Sequence, residues 1–164
     1  MNKKALSGTV NMMLLIGITL AAGIIVWGII NSLVTEKLED AGNCYGIQGK
    51  INFNQEYICY NASEDTLRFS INLEDIIPEQ ILISAQTENA STVIRIPRNP
   101  EIVENLISYP DDRTGNVSLP GKEAGKSYTF SGIDYKPTKL QMAPVISGKP
   151  CEIADTFSPI PNCN

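Results

Sequence analysis

The sequence predicts an α+β molecule: one long apolar helix near the N-terminus, then a domain built from strands. Two observations carry that expectation. Residues 10–30 form an apolar run in which only Asn11 and Thr19 are clearly polar, and no charge falls between Lys4 and Glu36. From Tyr45 onward a two-residue hydrophobic period replaces the helical one.

The apolar run comes first. A helix of about 21 residues rises about 30 Å, the thickness of a bilayer core. Hydrocarbon leaves backbone polar groups no partner but each other, so a single spanning segment there must be helical. Lys3 and Lys4 precede the run, while Glu36, Glu39 and Asp40 follow it. That asymmetry predicts a cytoplasmic N-terminus and an external C-terminal domain. A secretory signal would have a shorter apolar core and a small-residue cleavage site. Ala21-Ala22-Gly23 imitates such a site, but 24–30 continues strongly apolar.

Within the run, Leu14, Gly17, Ile18, Ala21, Ile24 and Gly28 suit packing against a second helix. Small residues let backbones approach, and the large ones fill the grooves beside them. Thr19 and Gly23 form another small pair. Trp27 suits either the membrane interface or the core of an assembly. Leu33, Val34, Leu38 and Ala41 carry an apolar stripe onward, and Gly42-Asn43 predicts the stop.

Eight strands are expected next, at 46–53, 56–60, 66–73, 80–85, 92–97, 116–119, 126–130 and 139–146. The clearest is 66–73, where Leu67, Phe69 and Ile71 alternate with Arg68, Ser70 and Asn72. Turn-rich separators lie at 61–65, 111–115 and 120–125. Such short strands argue for an antiparallel sandwich or a small barrel. In segment 101–109, Ile102, Val103, Leu106 and Ile107 suit a short helix, with an edge strand or an extended crossover as the alternatives. The tail from Pro150 has three prolines and no regular period, so a strap without a sheet ladder is expected.

The chain has 164 residues, a net charge of −5 and no histidine. So acidic a balance argues against a double-stranded nucleic-acid partner. The four cysteines, Cys44, Cys59, Cys151 and Cys163, all lie on the expected external side, and none has metal-site spacing. Two disulfides are expected. Three pairings are possible; Cys44 with Cys59 and Cys151 with Cys163 is favoured because each closes a short loop. Asn61-Ala62-Ser63, Asn89-Ala90-Ser91 and Asn116-Val117-Ser118 are acceptor patterns for asparagine-linked sugar, and equally ordinary solvated turns.

Catalytic chemistry finds little footing, and no enzyme is expected. No serine sits in a nucleophile turn, and the acidic pairs at 39–40, 64–65, 74–75 and 111–112 read as solvated turns or caps. No metal site is expected, although Asp111, Asp112 and Asn116 have calcium-type oxygens, and no cofactor is expected either. Gly125-Lys126-Ser127 lacks the first glycine of a phosphate loop, since Pro120 stands in its place.

Lys3-Lys4-Ala5-Leu6-Ser7-Gly8-Thr9-Val10, followed by Leu14-Leu15-Ile16-Gly17-Ile18-Thr19-Leu20-Ala21-Ala22, resembles the start of archaeal type IV pilin-like proteins, including archaellins. The resemblance covers about thirty residues. Two departures stand out: Val10 where many members have glutamate, and Gly8 where many have proline. The resemblance implies a prepilin-type signal at 1–5, read through Lys3, Lys4, Ala5, Leu6 and Ser7, with a membrane peptidase cutting after Ala5. It implies an assembly or transmembrane helix at 6–41 and an extracellular domain at 42–164, a pilin-like lollipop. The segment 119–130 resembles the Pro-Gly turn and strand of immunoglobulin-like domains, which makes the expected fold a helix followed by an immunoglobulin-like β-sandwich. The implied function is a structural subunit of a surface filament, self-associating through its helix and served by pilus assembly machinery. It would leave the cytoplasmic membrane for the cell surface and carry a glycosylated outer domain for adhesion or motility. The alternative from another class is a membrane-anchored minor pilin-like protein that links a filament or motor to the envelope. An anchored glycosidase-like enzyme would need two carboxylates converging on a cleft.

Overall fold

The uncharged run is helical, and α1 covers Lys3–Cys44. No proline occurs before Pro78, so nothing in this stretch removes a backbone donor or forces a kink. The computed structural model describes residues 3–44, 46–88, 90–110, 114–133 and 135–163; the side chains of 3–9 and 35–43 fall outside that description. The chain divides into two compact units, Met1–Gly42 and Asn43–Asn164. Gly42-Asn43 does not end the helix, which continues two residues further to Cys44.

Among the described residues, ten strands form two five-stranded antiparallel sheets. The first contains β1 (Ile51–Phe53), β2 (Cys59–Asn61), β3 (Thr66–Leu73), β6 (Leu106–Tyr109) and β7 (Ala124–Ser131), with β3 and β7 central. The second contains β4 (Gln80–Gln86), β5 (Ser91–Pro97), β8 (Lys139–Ile146), β9 (Lys149–Pro150) and β10 (Asp155–Phe157), with β4 and β8 central.

The sheets pack together because alternate residues of each strand are apolar and point inward. Leu67, Phe69, Ile71 and Leu73 of β3 share one core with Ile81 and Ile83 of β4, Ile94 and Ile96 of β5, and Leu140 and Met142 of β8. Phe69 stacks on Tyr128, its register partner in β7, with ring centroids 5.5 Å apart. The Tyr128 hydroxyl donates to the Ser118 carbonyl at 2.9 Å. Burial pushes that phenol well above its ordinary range.

Several segments depart from the sequence pattern. Residues 46–49 form turns, with Gly46 at φ 78° and Gly49 at φ 82°, so the first strand begins only at Ile51. Other residues rarely adopt that backbone, and an alternating pattern cannot register it. A 3-10 turn, Gln55–Tyr57, splits the next run, so β1 and β2 lie along the same edge of β3 as a bulged strand. Residues 116–119 are not a strand; Val117 makes a single bridge to Glu101. Of the ambiguous 101–109 segment, only Leu106–Tyr109 is the edge strand β6, burying Leu106 and Ser108 and exposing Ile107 and Tyr109, while Glu101 makes the isolated bridge to Val117. Near the end of β8, the two-residue loop Ser147-Gly148, both at positive φ, turns the chain into β9.

The tail was expected to lack a ladder, but β10 pairs with β8 through Asp155↔Met142, Thr156↔Gln141 and Phe157↔Leu140. Asp155 also accepts a hydrogen bond from the Phe53 amide in the other sheet, at 2.8 Å. The favoured cysteine pairing is overturned as well. The bonds are Cys44–Cys151 and Cys59–Cys163, closing loops of 107 and 104 residues. Short loops are easier to close in an unfolded chain, but here the sheets decide. The Tyr60↔Asn162 bridge sets Cys163 beside Cys59, and the β8–β9 hairpin delivers Cys151 to Cys44.

Candidate functional site

The feature of this chain that calls for a partner is the helix surface. Val10–Val34 is long and apolar enough to cross a membrane by length and composition. It carries apolar residues on every side, the mark of a membrane span or of a helix surrounded by other chains. Its large side chains are exposed throughout; Ile24 stands at 74% and Trp27 at 71%. At roughly 1.5–3 kcal/mol for each buried aliphatic or aromatic side chain, covering this surface is worth tens of kcal/mol, more than the usual stability of a whole domain. Water is not the medium this surface is built for.

Helix geometry sorts the residues singled out in the sequence. At about 100° per residue, Leu14, Gly17, Ile18, Ala21, Ile24 and Gly28 fall within an arc of about 120°. A Cβ placed on Gly17, Gly23 or Gly28 would meet nothing within 4 Å, so these positions are open to close approach from outside. Thr19 and Gly23 lie on a different side. The Thr19 hydroxyl donates to the Ile16 carbonyl at 2.9 Å, which satisfies it within the helix and suits it to an apolar medium. Lys3, Lys4, Ala5, Leu6 and Ser7 belong to the first turns of α1, with their side chains outside the described residues.

The three sugar-acceptor patterns sit in different settings. Asn61 ends β2, and Ala62-Ser63-Glu64-Asp65 forms the turn into β3. Its Oδ1 accepts from the Ser63 amide at 3.1 Å and the Ser63 hydroxyl at 2.9 Å, while its Nδ2 donates to Glu64 at 2.8 Å. Asn116 precedes the buried Val117, and Ser118 accepts a hydrogen bond from Lys126 Nζ at 3.1 Å, so this triplet is held against the domain. Asn89 lies outside the described residues, as do Asp111 and Asp112.

The side chains of Glu39 and Asp40 fall outside the described residues, while Glu64, Asp65 and Asp75 have structural partners. Asp65 accepts from the Tyr60 hydroxyl at 3.1 Å, and Glu64 lies 3.8 Å from Arg68. Asp75 pairs with Lys122, and that hydrogen bond and charge hold its carboxyl below the usual range. Among the described residues, no three histidine, cysteine, aspartate or glutamate side chains gather as a metal set. All four cysteines are spent in disulfides.

Sequence reasoning missed the role of the C-terminal segment, which touches both sheets. Its apolar residues, Phe157 and Ile160, were visible, but three prolines masked any period. No protein-family model matches the chain, and no curated protein does.

Proposed function

We propose that this chain is a structural subunit of an archaeal type IV pilus-like surface filament, assembled through α1. The observation that carries the reading is a helix apolar on all sides, with a small-residue face open to close approach, joined to a disulfide-bonded β domain. In this reading the peptidase removes residues 1–5 at the membrane. The processed helices then leave the bilayer and bundle, exchanging lipid contacts for contacts with one another. The domain at 42–164, read as an immunoglobulin-like sandwich, faces outward for adhesion or motility. Of the two acceptors among the described residues, Asn61, at the start of an exposed hairpin turn, is the better placed to carry sugar on the folded domain.

A second reading has its own support. Val10 is apolar and exposed where many pilin-like helices carry a glutamate. A helix without that charge is at ease in lipid, which favours a minor protein that stays anchored and links a filament or motor to the envelope.

Sequencing the N-terminus of subunits from purified surface filaments separates the two. The filament reading expects this chain as an abundant subunit beginning at Leu6. Its absence from filaments, with the full-length helix recovered in membranes, would reject that reading in favour of the anchor.

A further inference from the structure

The segment after Cys151 runs across one side of the domain and joins both sheets. In the second sheet, the Cys151 amide donates to Pro144 at 2.8 Å and the Ala154 amide to Met142 at 2.7 Å before β10 pairs with β8. In the first sheet, the Tyr60 amide donates to Pro161 and the Cys163 amide to Tyr60, both at 2.9 Å. Asp155 holds the Phe53 amide, and Ile160 lies in the core at 2% exposure. Cys163 is bonded to Cys59.

Without that bond the hold is piecemeal: Ala154 and Phe157 are only partly buried against the core, and the Ser158 hydroxyl donates to the Thr138 carbonyl at 3.0 Å. The β10–β8 ladder has three register pairs and the contact with β2 is a single bridge, against eight pairs between β3 and β7 and seven between β4 and β8. Pro159 and Pro161 have no amide to donate. Ile160 is the one fully buried large side chain of the segment. Elements with few ladder bonds and few buried side chains open at a lower cost than the domain as a whole.

We propose that residues 154–163 form a redox-locked strap, closed by Cys59–Cys163 and free to lift from both sheets when that bond is reduced. Opening is a thiol–disulfide exchange: a dithiol reductant supplies two electrons and two protons, its own sulfurs join, and Cys59 and Cys163 become thiols. Closing is the reverse, with a disulfide oxidant. While open, the strap stays attached to the domain through β9, which remains paired with β8. Lifting bares the outer edge of β8 and the backbone of Tyr60 and Phe53. If the domain lies outside the membrane, as proposed above, and crosses from the end joined to α1, the lock closes only after Cys163 has reached an oxidising compartment. The opening itself belongs to the domain and does not depend on filament assembly.

Hydrogen exchange on the full chain in detergent micelles tests this, comparing C59S/C163S with C44S/C151S and the wild type. In C59S/C163S the amides of Phe53, Tyr60 and Ala154 should exchange at least about ten-fold faster, while those of β3, β4 and β7 keep wild-type protection. C44S/C151S should leave Tyr60 protected. Should C59S/C163S fail to fold, the wild type in graded reductant gives the same reading, the strap losing protection before the sheets. Unchanged protection at Tyr60 and Ala154 would overturn the proposal, as would loss of protection in strap and sheets together.

Discussion

Thr66 opens β3 at 8% exposure, and among the described residues its Oγ1 has no hydrogen-bond partner. A buried hydroxyl that gives up water without replacement costs stability, and valine keeps its branched shape without the oxygen. Thr66→Val should therefore raise stability by about 1 kcal/mol, seen as a higher thermal midpoint; a lower midpoint would mean the hydroxyl is satisfied. Asp75 gives a charge test. Its pKa lies below the ordinary 3.8, first through the hydrogen bond from Lys122 and then through that lysine's charge. A depressed carboxyl pKa adds stability above the unfolded value, lost as pH falls through the folded one. The pair is exposed, so salt screens it and its contribution is small. Lys122→Ala should return the Asp75 titration, followed by NMR, toward 3.8; an unmoved midpoint would place the cause elsewhere. Neither feature was legible in the sequence, because both depend on neighbours brought close by folding.

At the scale of elements, periodicity located what was strongly periodic. The alternation of Leu67, Phe69 and Ile71 gave β3 its bounds, Thr66–Leu73, and the apolar run gave α1 its course. It misled where chirality or a single contact decided, as at Gly46 and Gly49, whose positive φ delays β1, and at Val117, whose alternation with Leu119 imitates a strand. The helix surface was legible as a candidate interface, but what covers it is a property of other molecules. Its small-residue face makes a direct prediction. Gly17→Leu and Ala21→Leu keep the helix apolar, so insertion should survive, while added bulk on the arc shared with Leu14, Ile18, Ile24 and Gly28 separates neighbouring helices. Each variant should be recovered in membranes at wild-type level, with filament yield cut at least about ten-fold, corresponding to roughly 1.4 kcal/mol of association free energy. Gly23→Leu, on another side, is the comparison. Equal yields from all three variants would remove the role assigned to that arc.

For the whole molecule, the disulfides give the sharpest test, because the bonds Cys44–Cys151 and Cys59–Cys163 interleave along the chain. The pairing was illegible in the sequence because local loop closure favoured neighbours, whereas the sheets bring distant segments together. Interleaving also fixes how the two bonds combine. Either bond alone closes a loop of just over a hundred residues, worth about 4.8 kcal/mol in the chain-entropy model. Once one has formed, the other pair is already joined by a covalent path of roughly 27 residues, so the second closure is worth only about 3.5 kcal/mol. Removing either bond from the oxidised protein should thus cost about 3.5 kcal/mol, while removing both should cost about 8 kcal/mol, more than the sum of the separate losses. A total of that size is comparable with the stability of a typical domain, so the variant lacking both bonds should sit at the edge of unfolding. Urea titration of the full chain in detergent, on C44S/C151S, C59S/C163S and the combined variant, measures all three terms. The strap adds an asymmetry: C59S/C163S should also lose native contacts at β10 and show a smaller urea slope, whereas C44S/C151S should not. Losses that simply add would mean the bonds act through native contacts and not through the connectivity of the unfolded chain.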